Sequence, residues 1–531
     1  MKKRLVSIIV IFSLLFSGIC VRLYSIATNP IYANAQKSLR VRDIDYRRGF
    51  IYDRNLEPLT NNATRQVICL KPCEKSFQYL SELRGKQFAT DTLGKGYFTT
   101  LALNNGEAPP TDSEYFTLDI YERYGDSLAL HVIGYTDTDS NGVSGAEKYY
   151  NEELNETHGE ISLTYQASAT ERMLTDFPVE IRDKGYYQKS GIALTLDRTI
   201  QSITETALVN GNINKGAAIV LDAKTSAILA CASTPVFDRN NIEKSLSDEN
   251  APFINRAFSA YPVGSVFKSV TAASAIENNI TPDNYYCSGS IEKSGNIFNC
   301  NKKEGHGSLD LKNALALSCN PYFINLGTTT GAEKLLNTAQ KLGFGKVTDL
   351  GNGFLTDSGT LPDKSLLNSD AAVGNLSFGQ GYLTATPLQI ATCYAIFANG
   401  GIYNAPHIYS GKVNPDGSFS PERKTDGKRV LKAEICELIK KALLQTTSTG
   451  TGKSAFSSLF DSCTKTATAQ SGRFDENGNE INYSWFVGFF PYDAPQYVIC
   501  VIKENGSSGS TDGAPVYKEI AENIFIISER Q

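Results

Sequence analysis

An uncharged apolar run close to the N-terminus constrains this chain more than any other feature of its sequence. The run covers residues 5–21 and follows the basic residues Lys2, Lys3 and Arg4. At a helical rise of about 1.5 Å per residue, a run of this length is at the short end of what spans a bilayer. Because positive charge stays on the cytoplasmic side, we expect residues 1–27 to form a single-pass membrane anchor, with the rest of the chain extracellular.

Two other interpretations of this segment remain open. The small residues of Ser25-Ile26-Ala27 would suit cleavage of a signal peptide. Cys20 would be a lipid attachment site, although Ile19 before it is bulkier than the residue usual there. No later segment reaches about 18 consecutive apolar residues, so the chain beyond the anchor is expected to be a soluble ectodomain.

Composition excludes several classes of protein. With 531 residues, 41% of them hydrophobic and 20% charged, the chain is long enough for two to four globular domains. Its 51 Lys and Arg against 56 Asp and Glu leave no basic surplus that would indicate a nucleic-acid partner. The 11 cysteines include no C-x-x-C pair, so their spacing does not predict a zinc ribbon.

The sequence pattern after the anchor changes at about residue 188. Residues 28–188 are polar and rich in turn signals, which predicts an extended β-rich pedestal domain. Residues 189–531 have the patterns of a compact α+β domain. Its expected strands lie near both of its ends, at residues 193–196, 216–221, 227–232, 483–490 and 497–503. Its expected helices begin after Asp197 and cover residues 265–278, 311–317, 387–398 and 433–444. We therefore expect a sheet built from both ends of the domain and flanked by helices.

Serine chemistry with a lysine base is the catalytic pattern that this sequence offers. The chain has no G-x-S-x-G segment, and its isolated histidines are expected to be structural or surface residues: His131, His158, His306 and His407. A serine nucleophile without histidine needs another base, and lysine is the usual alternative. The pattern S-x-x-K occurs three times, beginning at Ser265, Ser290 and Ser462, so the pattern alone decides nothing.

Context separates Ser265 from the other two serines. It stands at the start of a predicted helix, where a spacing of three residues places Lys268 on the same face. The positive end of a helix favours a developing oxyanion, and burial would lower the pKa of the lysine toward neutrality. The alternative is a helix that merely begins with serine and carries a surface lysine.

Two later segments favour the catalytic interpretation. Ser318-Cys319-Asn320 follows a short predicted helix and places a hydroxyl and an amide at one turn. Lys465-Thr466-Ala467-Thr468 is predicted to be a strand that carries a cation and two hydroxyls, a set suited to a substrate carboxylate. The ordered set S-x-x-K, S-x-N and K-T-x is typical of the serine acyltransferases that include penicillin-binding proteins and class A β-lactamases.

The chain resembles a class B penicillin-binding protein, a monofunctional peptidoglycan D,D-transpeptidase, along nearly its whole length. Beyond the three motifs, family-like segments occur at residues 48–54, 142–147, 376–381, 384–389 and 484–489. The resemblance implies the serine β-lactamase/penicillin-binding transpeptidase fold, an antiparallel sheet flanked by helices, after a pedestal domain and an N-terminal anchor. It also implies stem peptides ending in D-Ala-D-Ala as substrate, β-lactams as ligands, a SEDS-type glycan polymerase as membrane partner, and no metal or organic cofactor.

Residue roles follow from the same resemblance. It implies that Ser265 is the nucleophile and Lys268 the base. It also implies that Ser318 and Lys465 relay a proton and that Asn320 orients the substrate amide. The hydroxyls of Thr466 and Thr468 would bind the substrate carboxylate. The backbone N–H groups of Ser265 and Thr468 would form the oxyanion hole.

One position departs from the family pattern. Ala467 occupies the place where the K-[ST]-G element normally has glycine, and on a strand its methyl group shares a face with Lys465. We expect this methyl to narrow the pocket without abolishing acylation. The alternatives left open are a catalytically impaired scaffold and a D,D-carboxypeptidase or β-lactamase.

Four cysteines lie near the second and third motifs. A disulfide between Cys287 and Cys300 would close a loop of about 14 residues, and the sequence does not show whether the two side chains meet. Cys319 and Cys463 are expected to be small packing residues.

Overall fold

The computed structural model is an α+β protein with two compact units. It describes residues 2–28, 38–104, 106–109, 115–125, 128–168, 170–280, 284–421, 426–474, 476 and 478–530. One unit contains Met1–Gly49, Thr60–Gly125 and Glu156–Lys189, and the other contains Phe50–Leu59, Asp126–Asn155 and Ser190–Gln531.

The N-terminal segment is a helix, Lys2–Thr28, which extends the predicted apolar run by three residues at its start and by seven at its end. Within it, Val6–Thr28 is long and apolar enough to cross a membrane, and no other helix in the described part of the chain meets both conditions. Its large apolar side chains are exposed, as expected of a helix that has no protein core to join. The prediction of one N-terminal apolar span is confirmed.

The first unit is rich in β-structure. It has two three-stranded antiparallel sheets. The strand order of the first sheet is Ser38–Arg47, Gly159–Ala167, Glu180–Lys184. The strand order of the second sheet is Thr99–Ala102, Ala63–Leu70, Tyr115–Glu122. The middle strand of the second sheet is followed along the chain by two helices, Glu74–Arg84 and Lys86–Leu93. The sequence pattern did not predict them. Only a narrow stripe of these helices is buried, mainly Leu80, Ala89 and Leu93, so their apolar periodicity is weak.

The second unit is organised around a five-stranded antiparallel sheet. Its strands lie in the order Ile228–Thr234, Gly216–Asp222, Tyr497–Glu504, Glu480–Phe490 and Cys463–Phe474. Strands from the beginning and the end of the unit are therefore hydrogen-bonded neighbours, which confirms the predicted sheet. Both of its faces are apolar along the inner strands, so helices cover it on both sides.

The five helices predicted in this unit are present, with small shifts at their ends, and it has further helices that were not predicted. The helices of more than five residues are Asn151–Glu156, Arg198–Asn210, Lys268–Glu277, Leu311–Ala316, Asn320–Thr330, Ala332–Lys341, Asp370–Ser377, Pro387–Ala398, Ala433–Ser448 and Ala514–Ser528. Shorter helical segments are Leu130–Ile133, Gly145–Tyr149, Ile242–Leu246, Gly264–Phe267, Lys364–Leu366, Lys453–Ala455 and Gly509–Gly513. Asp197 caps its helix as predicted, because its carboxylate accepts from the N–H groups of Thr199 and Ile200.

Short strands complete the second unit. A four-stranded sheet has the order Phe419–Pro421, Tyr409–Val413, Gly191–Leu194, Phe50–Tyr52. Two-stranded pairs are Tyr261–Pro262 with Thr384–Ala385, Tyr285–Cys287 with Gly307–Leu309, Ser290–Lys293 with Asn296–Asn299, and Ile402–Tyr403 with Lys428–Arg429. The strand expected at residues 193–196 is thus two residues early, and it belongs to this smaller sheet rather than to the central one.

Candidate active site

Ser265 lies on a tight turn that several parts of the second unit hold in place. The residue before it, Gly264, has a φ of +66°, and its N–H donates to the carbonyl of Gly379 at 2.7 Å. The indole Nε1 of Trp485 donates to the carbonyl of Pro262 at 2.9 Å. This turn begins a 3₁₀ segment, so Ser265 precedes the α-helix by one turn instead of starting it as predicted. The family-like segments at residues 376–381 and 484–489 therefore hold the turn that carries Ser265.

Lys268 is fully buried at the start of the following helix. Its Nζ donates to the carbonyl oxygen of Ser318 at 2.7 Å, to the hydroxyl of Ser318 at 3.1 Å and to Oδ1 of Asn320 at 2.6 Å. Burial lowers the pKa of Lys268 to about 7, against a smaller opposing effect of the thiols of Cys319 and Cys300. A lysine with this pKa has a large neutral fraction at physiological pH and can accept a proton.

Ser318 connects two buried lysines. Its hydroxyl accepts from Lys268 and, at 3.1 Å, from Nζ of Lys465, which also donates to the carbonyl of Thr466 at 2.9 Å. Burial and the neighbouring Lys268 hold the pKa of Lys465 well below its usual range. Because a hydroxyl has two lone pairs and one proton, two lysine donors direct the Ser318 proton away from both of them.

The third motif lies on an edge strand of the central sheet, Cys463–Phe474. Thr466 is buried, and its hydroxyl donates to the hydroxyl of Thr451 at 2.8 Å, whereas Thr468 is exposed. Ala467 is 4% exposed, and its methyl lies 3.3 Å from where a Cβ on Gly264 would be. The methyl that replaces the family glycine therefore faces the turn before Ser265.

The structure thus brings together most, though not all, of the residues singled out in the sequence. Hydrogen bonds join Lys268, Ser318, Asn320 and Lys465 into one network. The half-buried Ser265 is not in it: among the described residues its hydroxyl has no hydrogen-bond partner. Sequence reasoning missed Thr451, for which the only signal in the sequence was its place between two glycines.

The other S-x-x-K serines lie in different settings. Ser290 is exposed at the start of the hairpin strand Ser290–Lys293, and Ser462 is buried immediately before the third-motif strand. Of the three serines, Ser265 alone lies in a helical segment, the 3₁₀ segment Gly264–Phe267.

Four potential metal ligands lie next to the second motif. The Sγ atoms of Cys287, Cys300 and Cys319 and a ring nitrogen of His306 all lie within 4.8 Å of one another. All three thiols are free, so the disulfide considered for Cys287 and Cys300 is not formed in this structure.

Comparison with known proteins agrees with the motifs. A family model described as "Penicillin binding protein transpeptidase domain" matches residues 216–525. Stage V sporulation protein D of Bacillus subtilis is 30% identical over 75% of this chain, but the match spans only 62% of that relative's length. Peptidoglycan D,D-transpeptidase MrdA of Haemophilus influenzae is 28% identical over 90% of this chain and 83% of its own length.

Solved structures agree with the fold. Penicillin-binding protein 3 of Mycobacterium tuberculosis superposes with a TM-score of 0.66 at 25% identity, over 92% of this chain and 97% of that chain. A protein in a peptidoglycan synthase complex superposes with a TM-score of 0.72 at 22% identity, over 99% of this chain and 98% of that chain. The predicted penicillin-binding transpeptidase fold is confirmed. The chain therefore belongs to the penicillin-binding protein transpeptidase family, and within it to the class B proteins that its motifs resemble.

Proposed function

We propose that this protein is a peptidoglycan D,D-transpeptidase that crosslinks stem peptides through an acyl-enzyme on Ser265. The observation that carries this proposal is the bridge between Lys268 and Lys465 through the Ser318 hydroxyl, which places two buried lysines of lowered pKa in one network. Such an arrangement suits proton transfer during acyl transfer, because both the base and the relay are pre-positioned.

In the acylation step, neutral Lys268 accepts the proton of Ser265, and Oγ attacks the carbonyl of the penultimate D-Ala. The backbone N–H groups of Ser265 and Thr468 hold the resulting oxyanion. Lys268 is bonded to Ser318 and Asn320 and makes no hydrogen bond to Ser265 within the described part of the chain. We therefore expect substrate binding to draw the Ser265 hydroxyl toward Nζ.

In the second half of acylation, the peptide C–N bond breaks and the terminal D-Ala leaves as an amine. Ser318 donates the required proton and is reprotonated through the lysines that contact it. Asn320 orients the substrate amide, while Thr466 and Thr468 bind the terminal carboxylate beside Lys465. An amine of a second stem peptide then attacks the ester, which forms the crosslink and regenerates Ser265.

The test uses the full-length chain in detergent and a fluorescent penicillin, which acylates the nucleophile as a mimic of D-Ala-D-Ala. We expect covalent label on the wild type and none on Ser265→Ala. Ser290→Ala is the matched control, because it removes the serine of an exposed S-x-x-K pattern and should label normally. Equal labelling of Ser265→Ala and the wild type would contradict the assignment.

A second assay separates transpeptidation from its alternatives. A D-Ala-D-Ala peptide is incubated with and without an acceptor amine, and the products are identified by mass spectrometry. A crosslinked product formed only with acceptor supports the proposal. Free tetrapeptide as the sole product would indicate a carboxypeptidase, and no turnover with unlabelled protein would indicate a scaffold.

We infer a matching arrangement at the membrane. Residues 1–27 would anchor the chain, residues 28–188 would form the pedestal and residues 189–531 the transpeptidase domain, both extracellular. Protease added to intact cells should then degrade the protein, and protection of the chain would contradict this orientation.

The proposed membrane partner is a SEDS-type glycan polymerase. Support comes from the family resemblance and from a protein of the same fold that is found in a peptidoglycan synthase complex. Co-purification of a polymerase with the tagged full-length chain, and its loss without residues 2–28, would test this partner.

A further inference from the structure

A cluster of sulfur and nitrogen ligands lies beside the second motif and is not used by the proposed reaction. It consists of Cys287, Cys300, His306 and Cys319 and is called the Cys₃His cluster below. Nδ1 of His306 lies 3.3 Å from Sγ of Cys300 and 3.8 Å from Sγ of Cys287. Sγ of Cys300 lies 3.9 Å from Sγ of Cys319.

Three of these separations are close to those between the corners of a metal-centred tetrahedron. With Zn–S bonds of about 2.3 Å and Zn–N bonds of about 2.0 Å, tetrahedral geometry requires about 3.8 Å between sulfurs and about 3.5 Å between sulfur and nitrogen. The observed distances of 3.9, 3.8 and 3.3 Å lie close to these values. Three thiolates and one imidazole form a ligand set that selects zinc over calcium or magnesium, which prefer oxygen.

The chain brings these ligands together from segments that are separate in sequence. Cys287 ends the strand Tyr285–Cys287, and its partner strand Gly307–Leu309 directly follows His306. Cys300 follows the neighbouring hairpin, where its N–H donates to the carbonyl of Gly289 at 2.8 Å. Cys319 precedes the helix Asn320–Thr330. Backbone pairing therefore determines where three of the four ligands lie.

The surroundings of the cluster suit a closed structural site. The three cysteines are 1%, 6% and 0% exposed in chain order, and the histidine is half-buried.

We propose that the Cys₃His cluster binds one structural Zn²⁺ ion. Binding releases the thiol protons, and the four protein ligands fill the tetrahedron, so no position is left for water or substrate. Because Cys319 lies between Ser318 and Asn320, the ion would hold the loop whose two side chains bind Lys268. The metal thus has a positioning role for the second motif and takes no part in acyl transfer.

The competing chemistry in an exported protein is a disulfide. Two of the three thiols could pair, which would leave the third thiol and the histidine without a function. Mass spectrometry of the native protein after alkylation distinguishes the two states, because metal-bound cysteines are alkylated once the metal is removed and oxidised cysteines are not. A disulfide within the cluster in freshly purified protein would overturn the proposal.

The direct test is the metal content of the full-length chain, purified in detergent without chelators. We expect about one zinc per chain, and a loss to background in the double variant Cys287→Ser/Cys300→Ser. The control is Cys436→Ser, a buried cysteine outside the cluster whose sulfur donates to the carbonyl of Ile396 and whose replacement can keep that bond. Zinc-free wild type that also binds no added zinc would overturn the proposal, as would equal loss in the control.

A cobalt experiment keeps the test decisive if the double variant does not fold. The wild type is stripped with a chelator and titrated with Co²⁺, and we expect the intense visible and near-ultraviolet bands of tetrahedral sulfur coordination at about one equivalent. His306→Cys keeps four ligands and should shift these bands without losing them, whereas His306→Ala should weaken Co²⁺ binding. Bands of octahedral oxygen coordination, or none, would overturn the proposal. Ser265→Ala should bind cobalt normally, so the failure of either proposal can be recognised separately.

Discussion

At the scale of single residues, Ser318 shows how the site departs from ordinary backbone geometry. Its φ of +54° lies in the left-handed region, which side chains other than Gly, Asn and Asp rarely adopt. The conformation directs both the carbonyl and the hydroxyl of one residue at Lys268. Strain of this kind persists where the surrounding contacts outweigh it, and here they are hydrogen bonds to two buried lysines.

The lowered pKa of Lys268 predicts the pH dependence of acylation. The base must be neutral, and burial lowers its pKa to about 7 from 10.5, so the rate should rise with pH and level off above about 8. The groups that face it are Lys465, which shares the Ser318 hydroxyl with it, and the thiols of Cys300 and Cys319, which oppose the lowering of its pKa. The measurement is the second-order acylation rate from about pH 5.5 to about 9.5. A rate that is flat below pH 7, or that keeps rising through the whole range, would contradict Lys268 as the base.

The substitution Ala467→Gly tests the departure from the family motif. Removing the methyl frees space next to Gly264, so we expect the acylation rate by penicillin to change by about three- to tenfold while the protein stays folded. Stopped-flow labelling and a thermal melt measure the two effects. If the variant and the wild type acylate at the same rate, the Ala467 methyl does not influence acylation.

At the scale of elements, the turn that carries Ser265 depends on a glycine. A Cβ on Gly264 would lie 3.1 Å from the Cβ of Ala469 and 3.3 Å from that of Ala467, at a φ of +66°. We expect Gly264→Ala to lower the free energy of unfolding by about 1–3 kcal/mol, and to slow acylation because Ser265 shifts with the turn.

The matched control for this turn is Gly295→Ala. Gly295 has a similar φ of +74°, but a Cβ there would meet nothing within 4 Å. Gly295→Ala should lower the free energy of unfolding by about 1 kcal/mol, which is the backbone cost, without changing the acylation rate. Chemical denaturation measures the first quantity and penicillin labelling the second. Equal effects of the two substitutions on acylation would show that contact with the third motif is not what positions Ser265.

At the scale of the whole molecule, we expect the N-terminal helix to add little to the stability of the compact units. Its large side chains from Val6 to Tyr24 are exposed and belong to no buried cluster of the described residues. A chain without residues 2–28 should therefore melt within about 2 °C of the full-length protein and move from the membrane fraction to the soluble fraction. Calorimetry and ultracentrifugation check the two outcomes, and a large fall in melting temperature would show that the helix packs on the protein.

Much of the second unit was predictable because its signals are local. The strands Gly216–Asp222 and Ile228–Thr234 are apolar runs around a turn, and the helix Pro387–Ala398 begins with the capping box of Thr386 and Gln389. The helix Glu74–Arg84 was missed because its buried stripe is too narrow to produce a periodic pattern. The prediction that the α-helix begins at Ser265 is wrong, because the 3₁₀ geometry of Gly264–Phe267 follows from contacts with distant segments.

The sequence by itself determined the apolar N-terminal helix, the ordered catalytic motifs and the family, since each depends on residues close together in the chain or on their order. Only the tertiary structure decided that Ser318 joins Lys268 to Lys465, because these residues are 50 and 147 positions away from it. The tertiary structure also decided that the Cys₃His cluster forms, although no C-x-x-C spacing in the sequence predicts a metal site. Hydrogen bonds and metal coordination act over a few ångströms of space, so their partners become visible only when the backbone has brought them together.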